Sequence, residues 1–275
     1  MSNMEILNNH NFRFNKAYGQ NFIFDKNFLK SIVIELTDKD TEVLEIGAGA
    51  GTLTAMLCEH SKKVVSFEID KNLQPILQEN LSQYNNLELI FQDIMKADLS
   101  EIENKYEKEY VMIANIPYYI TTPIIFKFLE SKKIKSMSIM IQQEVADRLT
   151  AKAGTKDYGA ITVAIDARAN AKTIKKVGRH MFTPVPNVDS AIVKIDITPN
   201  KFAIKNESLL DDTIKCAFGN RRKTLYNNLK SYFNFTSEQA TQILENANLK
   251  ADIRGEKLTT EEFVNLSNII ADIKN

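Results

Sequence analysis

The segment 41–52, T-E-V-L-E-I-G-A-G-A-G-T, limits what this chain can fold into more than any other stretch. Residues 41–46 read as a buried strand and residues 52–59 as a helix, so the backbone must turn from one to the other across Gly47-Ala48-Gly49-Ala50-Gly51. Three of the nine glycines in the chain fall within these five residues, which concentrates backbone freedom at one turn. A loop of this kind lets a ligand approach peptide N–H groups at a helix N-terminus, as in the nucleotide sites of open α/β sheets. The dinucleotide fingerprint G-x-G-x-x-G would need glycine at position 52. This chain has Thr52 there, which disfavours a nicotinamide dehydrogenase.

Three later strands end in equally suggestive polar groups. The strand over 63–67 runs into Glu68-Ile69-Asp70, roughly twenty residues past the first glycine, where such folds place a carboxylate on ribose hydroxyls. Two carboxylate oxygens can take both diol protons, so Glu68 is the expected contact, and Asp70 is expected to cap the helix that starts at Lys71. The strand over 87–91 ends at Gln92-Asp93, a place for a carboxylate to accept from a cofactor's exocyclic amine. The strand from Val111 stops at Asn115-Ile116-Pro117-Tyr118. Pro117 holds this turn extended, so the Asn115 side chain and the Ile116 carbonyl are expected to point outward as acceptors beside the flat ring of Tyr118. Two acceptors next to a stacking surface suit a planar, amine-bearing ring such as a flipped-out adenine or cytosine. Each group alone would be an ordinary loop residue, but ligands of open α/β sheets bind outside the carboxyl ends of strands, and all four features lie there.

The 275 residues suit a main domain with a small appendage. Lys plus Arg (35) equals Asp plus Glu (35), so contact with nucleic acid must come from local basic patches. The amino end lacks the pattern of a secretion signal and no apolar run is long enough for a bilayer. With only Cys58 and Cys216, this predicts a cytoplasmic protein without membrane contact. The scattered His10, His60 and His180 predict no metal site.

Residues 1–15 read as a loose arm, 16–200 as the main domain and 201–275 as a small helical domain beyond the break at Thr198-Pro199-Asn200. Within the main domain, 16–24 reads as a loop folded over something, Asp25 as the N-cap of a helix reaching Leu36, and 158–169 as a packing helix. Lys172, Lys175, Lys176 and Arg179 read as a basic strand edge, and Phe182, in the proline-rich loop that follows, as a second stacking ring. Between the first two helices of the small domain, Arg221-Arg222-Lys223 fits phosphate contact. The competing reading pairs the arginines with acids such as Asp211 and Asp212.

The run Glu45 to Gly51 resembles the motif of S-adenosylmethionine-dependent methyltransferases. Together with Tyr18-Gly19-Gln20-Asn21-Phe22, Asn115-Ile116-Pro117-Tyr118, Ile141 to Leu149, Phe182 to Ser190 and Phe218 to Thr224, it makes the chain similar to the rRNA adenine dimethyltransferase family from about Lys16 to the end. The resemblance implies an α/β, Rossmann-like methyltransferase fold, a mostly parallel sheet with helices on both faces, followed by a small all-helical C-terminal domain that contacts RNA. It further implies transfer of four methyl groups from S-adenosylmethionine to N6 of two adjacent adenosines near the 3′ end of 16S rRNA, in an assembling 30S subunit. A monomer is expected. Asn21, Ile23, Gly47, Glu68, Asp93 and Asn115 match the family's cofactor positions, with Gln20, Gly49 and Ile69 beside them. Asn115, Ile116, Pro117, Tyr118 and Phe182 match its acceptor site. The chain departs from the pattern at Ile23, where leucine is usual, and at Tyr119, where asparagine is frequent. A large-subunit rRNA adenine methyltransferase conferring antibiotic resistance would share the first four motifs, and a non-catalytic assembly factor would share the scaffold.

Overall fold

The structure is a computed structural model that describes residues 3–15 and 18–274. Lys16 and Ala17, which open the loop expected over 16–24, lie outside the described residues, as does the side chain of Tyr118. In chain order the elements are α1 (Asn3–Asn9), β1 (Phe22–Ile23), α2 (Lys26–Leu36), β2 (Glu42–Ile46), α3 (Thr52–His60), β3 (Lys63–Glu68), α4 (Gln74–Leu81), β4 (Leu87–Phe91), α5 (Leu99–Glu103) and β5 (Tyr110–Asn115). They continue with α6 (Thr121–Leu129), β6 (Ile134–Gln142), α7 (Gln143–Leu149), α8 (Ala160–Asp166), β7 (Ala169–Val177), β8 (Phe182–Thr183) and β9 (Ser190–Ile197). Four helices close the chain, α9 (Glu207–Gly219), α10 (Leu225–Phe233), α11 (Ser237–Asn246) and α12 (Thr260–Lys274).

Seven strands form one sheet in the order β4-β3-β2-β5-β6-β9-β7. The pairs from β4 through β6 are parallel, and β9 runs antiparallel to β6 with Gln142 opposite Ser190. The chain enters the sheet at β2, winds outward to β4, then crosses to β5 on the other side of β2. That reversal opens a crevice beyond the carboxyl ends of β2 and β5, the place where open α/β sheets bind ligands. β2 is covered on both faces, and all five of its residues are buried. Local signals behave as expected: Asp25 accepts from Phe28 N at 2.9 Å to start α2, and Asp70 accepts from Asn72 N at 3.0 Å to start the 3₁₀ turn before α4. The basic segment carrying Lys172, Lys175 and Lys176 is β7, the last strand of the sheet.

The chain divides into two compact units, Met1–Ala146 with Lys172–Ile197, and Asp147–Ala171 with Thr198–Asn275. This differs from the sequence reading, which placed all of 16–200 in the main domain. Tyr158, Val163, Ala164 and Ala167 join the core of the helical unit, where Tyr158 Oη donates to the Leu258 carbonyl at 2.8 Å. The amino end also differs. In place of a loose arm, α1 buries Ile6 and Leu7 in a cluster with Leu73, Ile76 and Leu77, and His10 Nε2 lies 2.8 Å from Glu79 Oε2. No helix of the described residues is long and apolar enough to cross a membrane.

Candidate active site

One cavity opens at the carboxyl ends of the central strands, and the glycine loop after β2 forms its floor. Gly47 has φ +86°, and a Cβ there would stand 2.8 Å from the Asn115 carbonyl oxygen, so only glycine lets β2 and β5 deliver their loops side by side. Gly49, at φ +56°, lies against the Phe22 ring, and its N–H donates to Glu68 Oε2 at 2.9 Å. The other carboxylate oxygen, Oε1, accepts from Asp70 N at 2.8 Å. Two backbone amides therefore fix the Glu68 carboxylate, and each of its oxygens keeps a lone pair for a ligand. Burial pushes the Glu68 carboxyl up, against the downward pull of the amides of Asp70, Gly49 and Ile69. Gln20 Nε2 donates to Asp70 Oδ2 at 2.8 Å, which ties the 18–24 segment to the end of β3. Asp93 spends Oδ1 on Met95 N at 2.9 Å.

Beneath this loop Glu45 is fully buried and accepts from Ser66 Oγ at 2.6 Å. Burial raises its carboxyl to about 7, while the Ser66 and Thr54 hydroxyls act to lower it and the Glu68 charge adds to the rise.

On the other flank of β2, Asn115 ends β5. Its Nδ2 donates to the Asn21 carbonyl at 3.2 Å, and among the described residues nothing donates to its Oδ1. The amide is thereby held in one orientation, with one N–H tied and its acceptor bare. Gly19 packs over Pro117, where a Cβ would meet the proline Cβ at 3.0 Å, so the 18–24 loop also covers the acceptor turn.

Of the residues expected from sequence, Gln20, Asn21, Ile23, Gly47, Gly49, Glu68, Ile69, Asp93, Asn115, Ile116 and Pro117 all line this cavity. Phe182 does not. It lies in β8, paired antiparallel with β1 so that Phe182 stands opposite Ile23, and its ring is 2% exposed in a core with Leu29, Ile32 and Val33. The expected second stacking ring is therefore a core residue here, because the short β1–β8 pair turns it inward. Phe67, Ile94 and Met140 also line the cavity, outside every motif, as does Phe22, which ends the Tyr18–Phe22 motif but had no expected role. They are apolar residues in or shortly after strands, whose exposure to a ligand depends on the tertiary fold.

In the helical unit, Arg221 Nη2 donates to the Tyr158 carbonyl at 2.8 Å and its guanidinium stacks over Phe218 at 5.6 Å. Asp211 pairs with Arg168 at 2.9 Å and Asp212 with Lys215 at 3.5 Å, so neither acid serves Arg221 or Arg222. Arg222 and Lys223 are exposed, with no side-chain hydrogen bond or ion pair among the described residues.

Comparison with known proteins resolves the family. The profile of the family described as "Ribosomal RNA adenine dimethylase" matches residues 11–272. This chain belongs to that family. A "Ribosomal RNA small subunit methyltransferase A" from Clostridium botulinum (strain Kyoto / Type A2) is 44% identical over 99% of this chain and 100% of its own length. The protein of the same name from Clostridioides difficile (strain 630) is 42% identical over 97% of this chain and 94% of its own. Among solved structures, a dimethyladenosine transferase from Plasmodium falciparum has a TM-score of 0.78 at 28% identity, covering 89% of this chain and 95% of that one. A 23S rRNA methyltransferase has a TM-score of 0.70 at 25% identity, covering 91% and 100%. Membership in the dimethylase family agrees with the Rossmann-like sheet order and the loop Glu45 to Gly51.

Proposed function

We propose that this chain transfers methyl groups from S-adenosylmethionine to N6 of two adjacent adenosines near the 3′ end of 16S rRNA, within the 30S subunit, acting in the cytoplasm as a monomer. The observation that carries this reading is Asn115, which lines the same cavity as Glu68 at the switch point of the sheet and whose Oδ1 accepts from none of the described residues. The small-subunit target is favoured over a large-subunit one by the 42–44% identity to proteins named for the small subunit, against 25% to the 23S enzyme.

The residues present fit this cofactor. The free lone pairs of Glu68 suit the two ribose hydroxyls, the remaining oxygen of Asp93 suits the exocyclic amine, and Phe67, Ile69 and Ile94 offer an apolar wall for the adenine. S-adenosylmethionine supplies a methyl group made electrophilic by its sulfonium. Adenine N6 is a weak nucleophile because its lone pair is delocalised into the ring. In the first transfer Asn115 Oδ1 and the Ile116 carbonyl accept its two N–H bonds, in the second one of them accepts the N–H that remains, and both times the lone pair is turned out of conjugation, so the chain acts through orientation and electrostatics. Among the described residues lining the cavity the carboxylates are Glu68 and Asp93, and both would be occupied by the cofactor, so the proton released on methylation would go to solvent. Arg222 and Lys223 hold rRNA phosphates, while Arg221 braces the turn that presents them.

The deciding experiment incubates the protein with labelled S-adenosylmethionine and undermethylated small subunits and maps the modified nucleotides. Label on two adjacent 16S adenosines is the expected result. Label in 23S rRNA alone, or none at all, would overturn the proposal.

A further inference from the structure

Tyr119 is the most exposed large hydrophobic residue of the described chain, at 68%, and it lines the cavity. It sits in the 3₁₀ turn Tyr118–Ile120 that follows β5. The turn is anchored on both sides. Ile116 and Thr121 are buried, Ile120 N donates to the Pro117 carbonyl at 3.2 Å, and α6 then buries Ile124 and Ile125 completely. A largely exposed aromatic ring is thus carried on a fixed base at the edge of the cavity proposed to take a planar ring. The same end of the sheet carries further exposed apolar surface. Gln142 pairs with Ser190, so the loop preceding β9 lies beyond the carboxyl end of β6, the neighbour of β5, and there Val185 and Val188 are 60% and 44% exposed. A rim of this composition favours the faces of unstacked bases over phosphates.

We propose that Tyr119 is the platform on which the nucleobase adjacent to the target adenine stacks, holding the flanking nucleotide splayed while its neighbour occupies the cavity. The Phe182 ring, enclosed in the core, does not offer this surface. Tyr119 is a positioning residue: it touches the neighbouring base and leaves the reacting amine to Asn115. The inference rests on the reading of the cavity as an adenine-methylating site and adds to it the recognition of a second base by its face.

The test compares wild type, Tyr119→Ala and Tyr119→Phe in three measurements: the KM for undermethylated small subunits, the Kd for S-adenosylmethionine, and the fluorescence of 2-aminopurine beside the target adenine in a hairpin RNA. Stacking on an aromatic ring predicts about a tenfold higher KM for Tyr119→Ala and loss of 2-aminopurine quenching. Cofactor affinity and melting temperature should stay close to wild type, since the side chain is 68% exposed. Tyr119→Phe keeps the ring and should match wild type in all three. Equal KM and equal quenching in Tyr119→Ala would overturn the platform alone, and so would a Tyr119→Phe variant as impaired as Tyr119→Ala, which would assign the effect to the hydroxyl. A wild-type protein that leaves small subunits unmethylated would instead sink the functional reading itself.

Discussion

Glu68 and Asn115 flank the same strand, β2, at the same end of one sheet, and they are held in opposite ways. The two oxygens of Glu68 are each fixed by a backbone amide and lie in a buried setting, which suits tight, uniform binding of a diol. Asn115 has one N–H tied to the Asn21 carbonyl and its acceptor left open, which suits a group that must orient something arriving later. The contrast teaches that one cavity holds a fixed, buried carboxylate on its β3 side and an open acceptor on its β5 side, the arrangement that the proposed division between cofactor binding and acceptor orientation requires. Interactions realised equally in ground and transition states lower KM, whereas those that grow with the reaction raise kcat.

The largest expected effect tests the acceptor side. Asn115→Ala removes the orienting oxygen, and single-turnover methyl transfer should fall by about a hundredfold or more, the scale seen when one preorganised polar contact is deleted. Subunit binding, measured by cosedimentation, should persist. A near wild-type rate would erase the distinction between the two flanks.

Glu68→Ala comes next and tests the cofactor side. Loss of charge-assisted hydrogen bonds worth roughly 1.5–3 kcal/mol each should weaken S-adenosylmethionine binding in calorimetry. Unchanged affinity in a folded variant would remove Glu68 from the site.

Glu45, under the loop that both flanks share, gives a smaller effect visible in stability. Its carboxyl is raised from an ordinary 4.5 to about 7, so between these values the folded state holds a proton that the unfolded state has released. Stability should therefore fall as pH rises from 4.5 to about 7, by at most about 3 kcal/mol. Glu45→Gln should flatten this slope in denaturant titrations across that range. A slope unchanged by the substitution would assign the pH dependence to other groups.

The smallest effect lies outside the cavity. Arg222→Ala with Lys223→Ala should reduce the salt dependence of subunit binding, lowering the log–log slope by up to roughly 2, at unchanged melting temperature and cofactor affinity. Arg221→Ala should do the reverse, lowering the melting temperature through loss of its bond to the Tyr158 carbonyl. A shared phenotype for the two variants would merge what the structure separates.

Much of the cavity was legible in the sequence because its parts are local. Strand, glycine loop and helix start are contiguous at 42–60, and Glu68, Asp93 and Asn115 each stand at or just past a strand end. The caps at Asp25 and Asp70 involve partners two or three residues away. What escaped depends on distant partners. Phe182 turns inward because β8 pairs with β1, some 160 residues earlier in the chain. The 147–171 segment joins the helical unit through contacts such as Tyr158 to Leu258. Arg221 reaches a backbone carbonyl that no charge pattern announces, and α1 is ordered by apolar contacts with α4. Side-chain spacing shows which face of an element is apolar, but not which remote element will cover it.

The division of labour across β2 is tested most directly by single-turnover methyl transfer to small subunits in Asn115→Ala and Glu68→Ala, measured over rising S-adenosylmethionine up to saturation. The account predicts that Glu68→Ala regains most of the wild-type rate at saturating cofactor and that Asn115→Ala stays slow at every concentration. Recovery of Asn115→Ala by added cofactor, or a Glu68→Ala rate that stays low at saturation, would contradict it.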